Sequence, residues 1–269
     1  MKFQIDHDYH IHSYLSPCTG DRRFEQTLEG ILQYGVKNGL KQIFVTDHYW
    51  DDTVPSMLDG YPSQNFALLS KALPLPQDEK CEFLFGCETD MDKNGLIGIP
   101  KERYDDFQFI IVPLNHLHFA FACDPTKKSV EYIAKYMEER FEGLLNMDLP
   151  FHKMGIAHLT DRLMYHEKKD GYLEVIDAIS DDIFARLFKK AAEKGIGIEL
   201  NIALSDLEDE ARAKRIARPY LIAKEQGCKF YLGSDSHLPS DFEKAILRFS
   251  LVVDLLGLEE SDKFHIKGL

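Results

Sequence analysis

Short apolar runs recur along the chain, and most are followed by a stretch with helical spacing. Residues 3–10, 42–46, 82–87, 107–114, 154–158, 197–201 and 229–233 are rich in β-branched and aromatic side chains. Their length and flanks predict strands. Between them lie amphipathic stretches, among them residues 24–39, 129–147, 181–195 and 211–227; the first, third and fourth end in glycine, a usual helix stop. This alternation predicts a mostly parallel sheet, closed as a barrel or wound as an open doubly wound sheet. The least regular connection, residues 62–80, is expected to form a lid or an outer helix. No repeat, low-complexity tract or domain break interrupts the pattern, so residues 1–269 are expected to form one domain.

Composition narrows the picture. The chain has 269 residues, 44% of them hydrophobic, and an α/β barrel takes about 250 residues. A formal charge of -13 argues against a broad basic face for nucleic acid. It leaves room for a phosphate-bearing substrate, because bound cations reverse the field locally. No apolar run is long enough for a membrane span, and the start "MKFQIDHDYH" lacks the apolar core of a signal peptide. The five cysteines are odd in number and form no CxxC, which suits reduced thiols in a cytoplasmic protein.

The chemistry lies at the carboxyl ends of the strand candidates. They carry, in order, Asp8, His10 and His12; Asp47 and His48; Glu88 and Asp90; His116 and His118; His158 and Asp161; Glu199 and Asn201; Asp235 and His237. A lone strand-end histidine is ordinarily a capping or satisfied core residue. Seven strand ends that each deliver a ligand-type residue to one face of a parallel barrel point to a metal site. Imidazole and carboxylate with little thiolate suit zinc, iron or manganese. The candidates outnumber the positions around one ion, so two or three divalent or transition metal ions are expected, with Glu88 and Asp235 the best bridging carboxylates.

"DYHIHS" at 8–13, "TDH" at 46–48, "GCETD" at 86–90, "NHLHF" at 115–119, "GIAHL" at 155–159, "ELN" at 199–201 and "GSDSH" at 233–237 follow in that order. On these motifs the chain resembles the PHP family (polymerase and histidinol phosphatase domains) over nearly its whole length. The resemblance implies an α/β fold, a distorted (β/α)7 barrel of PHP type, with a three-metal site at the strand ends and hydrolysis of phosphoesters. It implies a first ion held by His10, His12, Glu88 and Asp235. Glu88 would bridge to a second, held also by His158 and by His116 or His118, with His116 favoured. His48 and His237 would hold the third. Related chains often carry histidine six residues after the second His of HxH, where this chain has Cys18. Either Cys18 ligates, or Asp21 or a water takes that position.

The expected activity is a metal-dependent phosphoesterase that hydrolyses a small phosphomonoester, a phosphorylated metabolite, with a metal-activated hydroxide. Glu88, Asp235 and His237 are its candidate catalytic residues. Asp8 and Asp47 are expected to fix ligating imidazoles, and Asp161 lies beside another. Arg162 and Arg218 are the candidate substrate-binding cations, and Tyr49 and Trp50 a candidate wall for an organic moiety. Two alternatives stand. Histidinol phosphate would need Asp51, Asp52 or Asp90 for its amine, and a non-catalytic metal-binding module would have Cys18 as its lesion.

Overall fold

The computed structural model describes residues 1–55 and 64–268. Its strands are β1 (His7–Ile11), β2 (Gln42–Val45), β3 (His48–Tyr49), β4 (Glu82–Thr89), β5 (Phe109–Pro113), β6 (Met154–Ala157), β7 (Gly197–Leu200) and β8 (Lys229–Leu232). Every pairing among them is parallel. β3 continues the line of β2 along β4 in one register, with Val45 opposite Phe85 and His48 opposite Glu88. The eight segments therefore fill seven positions of a nearly closed barrel, which decides between the barrel and the open sheet.

The helices are α1 (Leu28–Lys37), α2 (Phe66–Leu69), α3 (Val130–Asn146), α4 (Gly171–Ala178), α5 (Asp181–Lys194), α6 (Leu204–Leu207), α7 (Glu210–Glu225) and α8 (Phe242–Leu256). Side-chain caps fix several starts: Ser129, Ser180 and Asp209 accept from the backbone N–H of Tyr132, Ile183 and Arg212. The expected helix over 24–39 is split. A 3-10 turn at Gly20–Glu25 comes first, and Thr27 then caps α1 through the Gly30 N–H. Of the stretch 62–80, expected as a lid or an outer helix, the described part is helical only briefly. Residues 62 and 63 lie outside the described residues, and the rest holds only α2 and a further 3-10 turn. Leu69, Ala72 and Leu75 from this stretch are buried in the main core.

Residues facing outward from the strands, such as Ile43, Ile110, Ile156, Ile198 and Leu232, join the helices in that main core. Inward-facing Tyr9, Phe44, Leu84, Phe109, Ala157 and Tyr231 form a second cluster inside the barrel, together with Phe264 and Ile266 from the C-terminal segment. Gly155 makes room for it, since a Cβ there would stand 2.5 Å from the Tyr231 ring. The metal-type residues sit above this aromatic floor, at the carboxyl ends.

The barrel closes through side chains. Between β1 and β8 there is one parallel bridge, Ile11 with Ser236, plus the bonds His12 N–H to Ser236 O at 3.0 Å and Asp235 N–H to His10 O at 2.7 Å. Below it, His7 Nε2 accepts the Leu232 N–H at 3.0 Å and Asp8 accepts the Ser234 N–H at 2.9 Å. Side-chain acceptors thus replace a ladder along this seam.

The five cysteines are free thiols. Among the described residues, no helix is long and apolar enough to cross a membrane.

Candidate metal centre

A β-bulge in β1, between Asp8 and Ile11, places the first histidines. Tyr9 packs into the aromatic floor, and His10 also faces inward. Asp8 turns away from the centre and accepts from the Tyr34 hydroxyl of α1 at 3.1 Å. The expectation that Asp8 fixes a ligating imidazole is therefore corrected: its partners are the Tyr34 hydroxyl and the backbone N–H groups of Ser234 and His10.

Glu88, 1% exposed on β4, is the hub. Its Oε1 lies 3.7 Å from His10 Nε2, 3.9 Å from His116 Nε2 and 3.2 Å from His158 Nε2. Its Oε2 lies 3.4 Å from His12 Nε2 and 2.9 Å from His48 Nδ1. Asp235 Oδ1 approaches His10 and His12 at 3.4 and 3.1 Å. Three sets of residues hold their donor atoms close enough for an ion: His10, His12 and Glu88; Glu88, His116 and His158; His12, His48 and His237. Glu88 belongs to two of them and His12 to two.

The outer partners set the tautomers. His10 Nδ1 meets Glu199 Oε1 at 2.7 Å, and His116 Nδ1 meets Asp90 Oδ1 at 2.8 Å. His158 Nδ1 meets the Asn115 carbonyl oxygen at 2.8 Å, and His237 Nδ1 meets the Asp235 backbone oxygen at 2.8 Å. The Asn115 amide is oriented by its donation to His158 O at 2.5 Å. His12 Nδ1 meets Ser16 Oγ at 3.0 Å, and the Ser16 hydroxyl donates to Asp47 at 2.7 Å. Five imidazoles thus turn Nδ1 toward an outer partner and Nε2 toward the centre. The Nε2 atoms of His10 and His12 are only 3.1 Å apart, a spacing that a shared proton or a bound cation satisfies. The donor set and this pair fit divalent metal ions of the zinc type.

The charges agree. Burial opposes ionised Glu88, yet His48 and His10 hold its pKa well below the usual carboxylate range. Burial likewise opposes charge on Asp235, and His10 and His237 outweigh it. His158 and His237 are pushed down by burial and raised, mainly by Glu88 and Asp235 respectively, to about 9. His158 and Asp235 both have positive φ, 27° and 53°. Such strain collects at functional sites. Gly233 lets β8 pass close to Glu199, because a Cβ there would land on its carboxylate.

The centre opens into a cavity of about 600 Å3 whose rim includes Cys18, His118, Phe119 and Leu163. Cys18 Sγ is 3.0 Å from His48 Nε2, although Cys18 is in none of the three sets. Asp21 is exposed in the 3-10 turn. His116 is in the Glu88 set, whereas His118 is in none of the three sets and lines the rim.

Other candidates lie elsewhere. Arg218 is spent at helix ends, donating to Asp181, to Ile179 O and to Ile176 O, so it does not reach the mouth. Arg162 lines a neighbouring cavity. Trp50 packs with Val54, Phe121 and Ala122, and Tyr49 packs on Phe107; neither lines the mouth. Asp51 accepts from Tyr49, Thr53 and Arg103, and Asp52 from Asn65. Asp161 caps the Leu163 N–H. The outward partners Glu199, Asn115 and Ser16 were not assigned from the sequence. Their only signals were the polar strand end "ELN", an asparagine beside His116 and a serine four residues after His12.

Fold and site together define a distorted (β/α)7 barrel with a buried histidine–carboxylate centre at its carboxyl face. Among solved structures, the chain is similar to histidinol phosphate phosphatase from Lactococcus lactis subsp. lactis Il1403, in complex with zinc, L-histidinol and phosphate, at 16% identity and a TM-score of 0.58, covering 97% of this chain and 98% of that one. It is also similar to the histidinol phosphatase assigned in Listeria monocytogenes, at 14% identity and a TM-score of 0.50, covering 87% and 96%. The fold likeness agrees with the resemblance read from the motifs. No family model and no curated protein matches the chain.

Proposed function

We propose that the protein is a metal-dependent phosphoesterase acting on a small phosphomonoester. The observation that carries this reading is the Glu88 carboxylate, which stands within 4 Å of five imidazoles. The zinc, L-histidinol and phosphate of the Lactococcus structure support the same class of chemistry.

In this reading His10, His12, Glu88 and Asp235 hold a first ion, Glu88, His116 and His158 a second, and His48 and His237 a third, with Cys18 at its edge. Bound ions supply charge for phosphoryl oxygens and lower the pKa of water toward about 7. The chain supplies orientation. Glu199, Asp90, Asn115 and the Ser16–Asp47 pair keep each Nε2 lone pair directed inward. The aromatic floor keeps water away from the underside of the centre. His237, partly exposed at the cavity wall, would present its ion to a phosphoryl or leaving oxygen entering from the cavity. The free thiols suit a cytoplasmic setting.

Histidinol phosphate is the second reading, favoured by the ligand of the Lactococcus structure. Its amine would need a carboxylate, and Asp51, Asp52 and Asp90 are already hydrogen-bonded. The test is phosphate release from a panel of phosphomonoesters, histidinol phosphate included, by protein reconstituted with zinc, manganese or iron. Turnover that disappears in Glu88→Ala is expected. No turnover with any metal would overturn the reading.

A further inference from the structure

The metal cavity does not end at its rim. His118 and Phe119 line it and also line a second cavity. That cavity has apolar walls from Leu117, Ile133 and Met164. Tyr165 and His166 line it and a third cavity of about 430 Å3. The three cavities thus adjoin one another along the loop after β6, as a trough whose first member is lined by Glu88.

The third cavity is basic in a chain of charge -13. Arg162, Lys168, Lys169 and Arg212 line it, with Asp170 as the only carboxylate in the lining. Arg212 takes up Asp170, and Lys168 takes up Glu174. Lys128 takes up nearby Glu167. The local carboxylates are therefore neutralised. Arg162 and Lys169 have no ion-pair partner among the described residues, and both line the cavity, one before and one after Tyr165 and His166 in the sequence.

We propose that this cavity is a second anion subsite, with Arg162 and Lys169 holding a further phosphate or carboxylate at the far end of the substrate. The proposal rests on the phosphoesterase reading and narrows it to doubly anionic phosphomonoesters whose carbon body lies along Leu117, Ile133 and Met164. It separates this chain's substrate from an amine-bearing one such as histidinol phosphate, since the trough ends in cations.

The experiment compares 1,n-alkanediol bisphosphates and ω-carboxyalkyl phosphates with alkyl monophosphates of equal length, using metal-reconstituted protein. The wild type is expected to prefer one or both doubly anionic series in kcat/KM by at least about tenfold at an optimum length, as charge-assisted hydrogen bonds allow. Which series wins distinguishes phosphate from carboxylate. In Arg162→Gln/Lys169→Gln this preference ratio should collapse toward unity. A wild type with no preference at any length, or a ratio unchanged in the double variant, would overturn the subsite. Should no phosphomonoester turn over, the phosphoesterase reading fails on its own. Calorimetric binding of the bisphosphates, tight in the wild type and at least about tenfold weaker in the double variant, then still decides the subsite.

Discussion

The Nε2 atoms of His10 and His12 lie 3.1 Å apart, and both imidazoles turn Nδ1 outward, to Glu199 and to Ser16. Two inward nitrogens at this distance need a shared proton or a cation between them, and a bound ion would take the proton's place. Chelation with a strong metal chelator should therefore destabilise the fold. An ion present at about 100 times its Kd contributes about 2.7 kcal/mol, which is roughly 5–10 °C in Tm for a chain of this size. Differential scanning fluorimetry before and after chelation, then after zinc or manganese is restored, measures the loss and its recovery. A Tm indifferent to chelation would count against the ion-binding reading.

Glu199 carries a separate expectation. Its Oε1 takes His10 Nδ1 at 2.7 Å and its Oε2 takes the His158 N–H at 2.5 Å. Glutamine has one oxygen, so Glu199→Gln must turn an NH2 toward one of these two donors. Metal affinity should fall by about 10–100-fold with the far-UV spectrum retained. Competition with a metallochromic indicator reads this directly.

Cys18 should be the one fast thiol. Crowding at the rim pushes it up, but His48 and His237 outweigh this and bring it to about 7. Burial raises Cys81 to about 11 and Cys228 to about 12, and it also raises Cys87 and Cys123. Iodoacetamide at neutral pH is expected to label one site per chain, mapped to Cys18 by mass spectrometry, because thiolate fraction and access set the rate. Bound zinc should slow that labelling. Rapid labelling at a second cysteine would contradict the burial pattern.

His7 makes the barrel seam sensitive to acid. Burial lowers its pKa below 6.5, against the pull of Asp6, and its neutral Nε2 accepts the Leu232 N–H. Below pH 6.5 the unfolded chain therefore binds more protons at His7 than the folded one. The His7 contribution is present above that pH and is lost as the pH falls, by up to about 1.4 kcal/mol per unit. Urea unfolding of wild type and His7→Gln between about pH 8 and pH 5 should show a shallower acid slope in the variant. Equal slopes would remove His7 as the cause.

Much of this was readable in the chain because strand ends in a parallel barrel share one face. His10, His12, His48, Glu88, His116, His158, Asp235 and His237 come together for that reason alone. Asp8 was misplaced because a bulge adds a residue without any mark in the polar–apolar alternation. Arg218 was misread because a helical pattern shows which face is polar but not which neighbouring helix ends that face meets. α4 was missed because it is only eight residues long, so its exposed Glu174 and Asp177 give the period barely two turns in which to show. The partners of each Nδ1 were invisible, since residue type at a strand end does not reveal which ring nitrogen it will meet.

The seam between β1 and β8 has a consequence for how the protein is made. His10 and His12 belong to the first dozen residues, whereas Asp235 and His237 leave the ribosome more than two hundred residues later. Until that last strand emerges, His7 and Asp8 lack the amides of Leu232 and Ser234 that pin β1 in place. A nascent or truncated chain can therefore present paired histidines but cannot enclose them. Capture of an ion in the finished centre marks a polypeptide synthesised through to its final strand.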